Sequence, residues 1–106
     1  MKKAIIVVGS LNMDLVVRTV RHPKIGETIL GSDFQTFPGG KGANQAVAAA
    51  RLGGRVWMVG RVGQDDFGES LLQSAASDHV DTSYVQKDPH AATGVALITV
   101  DQAGQN

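Results

Sequence analysis

Two short stretches hold residue types that could do chemistry together. One is Gly39-Gly40-Lys41-Gly42, followed at once by Ala43, Asn44 and a run of small residues; the other is Gly9-Ser10-Leu11-Asn12-Met13-Asp14. Adjacent glycines remove Cβ bulk and permit positive φ, so a ligand can approach the backbone. A helix that starts there adds N–H donors and a partial positive charge. Asn12 and Asp14, two residues apart on extended chain, face the same side. With Lys41 and Asn44 they supply a carboxylate acceptor, two amides that donate and accept, and a cationic donor, a set that suits several hydroxyl groups. A sugar is the natural ligand. Each hydrogen bond to a charged partner would contribute roughly 1.5–3 kcal/mol, and a ligand lacking one hydroxyl would leave a buried group unpaired. Plainer readings stand beside this one. Glycines 39, 40 and 42 would also build a tight strand-to-helix turn, and Asn12 with Asp14 would also suit an Asx turn.

Other chemistries find less support. Gly40-Lys41 is followed by Gly42 and not by Ser or Thr, no earlier glycine has the phosphate-loop spacing, and the first apolar run does not lead into G-x-G-x-x-G. Neither nucleotide fingerprint is present, which disfavours a dinucleotide-dependent oxidoreductase. Ten basic and ten acidic side chains cancel, so neither nucleic acid nor an anionic membrane is expected as partner. There is no cysteine, no apolar stretch near the ~18 residues of a membrane span, and no secretory-signal pattern; a cytoplasmic location is expected.

The elements that must position these residues alternate along the chain. A length of 106 residues suits one small domain with a core. Ala4 to Val8 is a continuous, β-branched apolar run and reads as a buried parallel strand. Asp14 to Val20 and Glu27 to Phe37 read as strands joined by a turn at Arg21–Gly26, the second interrupted near Gly31-Ser32; the pair looks like an antiparallel flap. Lys41 to Leu52 reads as a helix with Ala43, Val47 and Ala50 on one face, ended by Gly53-Gly54. A strand is expected from Arg55 to Gly60. A second helix is expected from an N-cap at Asp66, with Glu69 completing a capping-box variant, to about Asp78. Strands at Thr82–Gln86 and Thr93–Asp101 follow. The alternation predicts βαβ units, hence an α/β fold with a parallel sheet and antiparallel additions.

Several of these segments carry a resemblance. VVGSLNMDLVV, PKIGET, FPGGKGANQAVAAARLG, VGRVGQDDFGESLL and TGVALITVD stand in this order along essentially the whole chain. They resemble the N-terminal part of the PfkB-type carbohydrate kinases, and GGKGANQA points to the ribose-type members over the nucleoside kinases. The resemblance implies a Rossmann-like sheet with a small β-sheet lid over the sugar. It also implies ATP-dependent phosphorylation of the D-ribose 5-hydroxyl, with deoxyribose or another furanose as the substrate alternative. Carried over by position, Asn12, Asp14, Gly40, Lys41 and Asn44 fall on sugar-contacting positions, with Gly39, Gly42 and Ala43 as the supporting loop. The lid falls on strands at about 14–20, 27–37 and 93–101, and in the family it pairs with a second subunit in a homodimer.

The family places its catalytic aspartate, anion hole, ATP pocket with Mg2+, K+ site and a further sugar-binding glutamate in its C-terminal half. No catalytic residue is therefore expected among these 106, and the chain alone is expected to be inactive. The rival reading is a non-catalytic sugar-binding or dimerising module. Asp65 and Asp66 read as a helix start and not as a metal pair, with Asp65 acting on sugar affinity only through stability. His22, His79 and His90 read as solvated, with no metal site, and Trp57 reads as core.

Overall fold

The structure, a computed structural model, describes residues 3–106. The elements are β1 (Ala4–Val8), β2 (Asn12–Arg18), β3 (Ser32–Gly39), α1 (Lys41–Arg51), β4 (Arg55–Gly63), α2 (Asp66–Ser77), β5 (Asp81–Asp88) and β6 (Val95–Val100). They form two three-stranded sheets. The base sheet has the order β1-β4-β5 with both pairs parallel, and the second sheet has the order β3-β2-β6, with β2 antiparallel to β3 and parallel to β6. Parallel neighbours need a crossover, which α2 provides between β4 and β5.

Alternation along β4 decides where the core lies. Val56 and Met58 are buried and Met58 is fully enclosed; they pack with Ala46 of α1, Leu71 and Ala75 of α2, and Val85 of β5 in one cluster. Both helices therefore cover one face of the base sheet. The intervening residues point the other way. Trp57 and Val59 share the opposite face with Ala4, Ile6 and Tyr84, which together line a shallow apolar hollow. The expected burial of β1 and Trp57 is corrected here: β1 is parallel to β4 as expected, but Ile6 is 64% and Val8 77% exposed, and Trp57 is only half-buried. A two-sided apolar pattern has cover on one side alone.

The other element boundaries shift for identifiable reasons. The flap strand expected at 14–20 starts at Asn12 and ends at Arg18, and its partner expected at 27–37 runs instead over Ser32–Gly39. Glu27 is held in the connecting loop by the Arg21 guanidinium and the Lys24 N–H, and Gly26 has a φ of 75°, so residues 27–31 are not strand. A bulge between Val16 and Arg18 of β2 coincides with Asp33 at a φ of 53° on β3. The strand expected at 93–101 is Val95–Val100, because Thr93 is tied to Asp65 and Asp101 closes the turn to Ala103 and Gln105.

At the second helix the N-cap is Asp65, one residue earlier than expected; its carboxylate accepts the Gly68 N–H at 2.8 Å. Gly68 then holds the third helical position, so Glu69 makes no capping box and instead pairs with Lys87 at 2.9 Å. The strand expected at 55–60 continues to Gly63, paired through Asp88 of β5. His22 is not purely solvated, since its Nε2 lies 3.5 Å from Asp101 Oδ2. On α1 the expected face of Ala43, Val47 and Ala50 does pack on the core, but Gly42 and Ala46 are the most buried positions.

Candidate functional site

The chain leaves β1 through Gly9, Ser10 and Leu11 and enters β2, which places Asn12 and Asp14 just past the carboxyl end of a parallel strand. That is where open α/β sheets bind ligands. Both residues are half-buried. Asn12 Nδ2 approaches Asp14 Oδ1 at 3.4 Å, as side chains two apart on one strand face should. The antiparallel pairing sets Asn12 opposite Gly39 and Asp14 opposite Phe37.

The glycine turn is shaped by what lies against it. A Cβ on Gly39 would stand 2.7 and 2.8 Å from the two Asp14 carboxylate oxygens, so the carboxylate can rest there only over bare backbone. Gly40, the N-cap of α1, has a φ of 101°, and a Cβ on it would collide with the Ser10 carbonyl oxygen. A Cβ on Gly42 would lie 2.7 Å from Gly9 Cα. The Ala43 N–H donates to Ser10 O at 3.1 Å, and the Asn44 N–H to Gly40 O at 2.9 Å. The turn after β1 and the turn before α1 are thus locked backbone to backbone.

α1 begins with no side-chain cap and no acidic residue in its first turn, so no residue of the helix itself offsets its positive pole. Lys41 is exposed at the first helical position. Asn44, also exposed, borders a groove between α1 and α2 together with Pro38, Arg51, Ser74 and Asp78. The structure therefore brings Asn12, Asp14 and Gly39 together, while Gly40 packs against Ser10 and Leu11. Lys41 and Asn44 follow within one helical turn, with no side-chain hydrogen bond to that group.

Sheet register adds residues that sequence reading missed. Ala96 of β6 pairs with Asp14 and Ile98 with Val16, so Phe37, Ala96 and Ile98 share the face of β2 that presents Asp14. They form an apolar surface around the Asp14 carboxylate. The only sequence signal was the apolar character of 93–101, and nothing local announces a parallel pairing between strands so far apart in the chain. Among the described residues no group of three His, Cys, Asp or Glu could hold a metal ion, and no helix is long and apolar enough to cross a membrane.

A family model described as pfkB family carbohydrate kinase matches residues 2–106. The chain belongs to the pfkB family of carbohydrate kinases. It is 53% identical to the ribokinase of Bacillus subtilis over 91% of this chain and 33% of that protein. It is 43% identical to a deoxyribokinase of Salmonella typhimurium over 96% of this chain and 33% of that one. Among solved structures, the ribokinase of Arabidopsis thaliana complexed with ribose and ATP is similar with a TM-score of 0.92 and 39% identity, covering 100% of this chain and 35% of that one. The chain spans about a third of the length of the curated relatives it matches. An α/β architecture with mixed sheets is the fold of this family, as the resemblance implied.

Proposed function

We propose that these residues form the sugar-binding part of an ATP-dependent kinase that phosphorylates D-ribose at its 5-hydroxyl. The observation that carries this reading is the Asn12–Asp14 pair resting on the Gly39–Gly40 turn at the uncapped start of α1. Asp14 accepts from ring hydroxyls, Asn12 donates and accepts beside it, and Lys41 and the first N–H groups of α1 supply positive character. Asn44 stands one turn along the helix, with Gly39, Gly42 and Ala43 holding the loop. The second sheet acts as a lid, and its apolar residues on both faces fit a homodimer formed through it. ATP with Mg2+, activation by K+, and the catalytic base belong, in this proposal, to the further length that the relatives possess. That length also covers the open face of the base sheet.

Deoxyribose is the second reading, favoured by the similarity to a deoxyribokinase. Calorimetric titration of the protein with each sugar separates the two. Asp14→Ala should weaken ribose binding by roughly ten- to a hundredfold, the loss of a charge-assisted hydrogen bond, and Lys41→Ala should weaken it in the same sense. Unchanged ribose affinity in Asp14→Ala would remove Asp14 from the site.

A further inference from the structure

Three crossings join the two sheets: Gly9–Leu11, the Gly39–Gly40 turn, and the segment from Pro89 to Gly94 that leads from β5 into β6. The first two are locked by backbone contact, and the third is held by side chains as well as by backbone. Asp65 Oδ2 accepts the Thr93 N–H at 2.9 Å, and Asp65 Oδ1 accepts the Thr93 hydroxyl at 2.6 Å while also taking the Gly68 N–H at 2.8 Å. Thr93 Oγ1 in turn accepts the Gly63 N–H at 2.8 Å. Thr93 is 5% exposed and is the buried polar residue of the described chain. The next residue is where this knot reaches the site. The Gly94 carbonyl accepts the Met13 N–H at 3.0 Å, between Asn12 and Asp14, and a Cβ on Gly94 would lie 3.6 Å from Asn12 Cβ.

We propose that Asp65 and Thr93 are positioning residues: they pin the root of β6 to the start of α2 and, through the Gly94–Met13 hydrogen bond, fix where Asn12 and Asp14 stand. This rests on the proposed sugar site, and it gives Asp65 a part that its cap position alone did not suggest. The geometry favours a positional role over general stabilisation. Helix capping needs only the Gly68 contact, whereas the remaining contacts run to one residue at a sheet crossing, and buried hydrogen bonds of this kind fix one arrangement among alternatives. The knot touches no ligand; it acts through β6 and β2.

The test compares Thr93→Val, which keeps the shape and the backbone N–H but loses the hydroxyl, with Thr93→Ser, which keeps the hydroxyl. Amide hydrogen exchange is measured residue by residue, alongside ribose affinity by calorimetry. Exchange at Met13, Ala96 and Ile98 should quicken by about tenfold in Thr93→Val, the loss expected for an unpaired buried donor or acceptor, while the core amides of β4 around Met58 hold their rates. Ribose affinity should fall by a similar factor, and both readouts should return toward normal in Thr93→Ser. Uniform acceleration across β4 and the lid would overturn the proposal in favour of a general stabilising role, as would local loosening with unchanged affinity. Should the unaltered protein bind no ribose, the sugar-site reading fails by itself, and the exchange pattern alone decides whether the anchor exists.

Discussion

At the scale of single residues, Asp65 connects hydrogen bonding to pH. Its carboxyl is held below the ordinary carboxylate range, first by the Thr93 hydroxyl, then by the Thr93 and Gly68 N–H groups, against a smaller opposing effect of burial. A carboxyl whose pKa is lower in the folded state stabilises the fold above its unfolded pKa, and that contribution disappears as pH falls through the folded value. The loss therefore lies below the ordinary aspartate pKa of about 3.9. Circular dichroism during acid titration should show Asp65→Asn less stable than the parent at pH 7, with a shallower decline in the acid range. An unaltered acid profile would mean that the carboxylate contributes nothing to this linkage. Much at this scale was legible in advance: Asn12 and Asp14 share a face because they are two apart on a strand, and the plainer reading of the glycine cluster, a tight strand-to-helix turn, is what the chain builds. Asp65 was legible as a helix start but not as a partner of Thr93, because a contact across 28 positions follows from topology and has no local pattern.

Among the elements, the second sheet was the hardest to delimit. Its strands were visible as apolar runs, yet their ends are set by tertiary ties: Glu27 taken by Arg21, Thr93 by Asp65, and Asp101 by the turn that follows β6. The helices were easier to read because small residues and Gly53-Gly54 mark α1 locally and an acidic start marks α2. What the strand patterns did convey is that both faces are apolar. Leu97 is 80% exposed, and it shares its face with Val95 at 46%, opposite the face that presents Asp14. On the proposal of a lid-mediated homodimer, Leu97→Lys should shift the protein toward monomer in sedimentation equilibrium at micromolar concentration, with ribose affinity little changed. Equal self-association in the parent and the variant would move the interface elsewhere.

For the molecule as a whole, shape and pattern agree. The Cα radius of gyration is 16.3 Å, against about 13 Å for a compact domain of 100 residues. The two sheets extend along a long axis of 55 Å while the thinnest dimension is 18 Å. β1 reads as doubly buried because its side chains are apolar on both sides; the described residues cover only the side that meets the helices. Phosphoryl transfer needs a positioned acceptor, a base or orienting carboxylate, and charge stabilisation of the moving group. On our reading, the residues here supply the first. Incubation of the 106-residue chain with ribose, Mg-ATP and potassium should yield no ribose 5-phosphate above a no-protein control. A polypeptide of the relatives' full length should turn over at about 1–100 per second. Protein-dependent product from the shorter chain, free of host kinase, would place the chemistry within it.

Trp57, the single tryptophan, gives the open face an optical property. It stands half-buried among Ile6, Val59 and Tyr84, with the Arg55 guanidinium 4.5 Å above the centre of its ring. Indole emission moves to shorter wavelength when water is withdrawn. The base sheet therefore contains its own fluorescent reporter of anything that covers it. Ribose binding beyond the far end of β1 should leave that emission in place, while docking of a polypeptide onto the face should shift it to the blue. One tryptophan thus distinguishes filling of the proposed sugar site from covering of the open face, with no label attached.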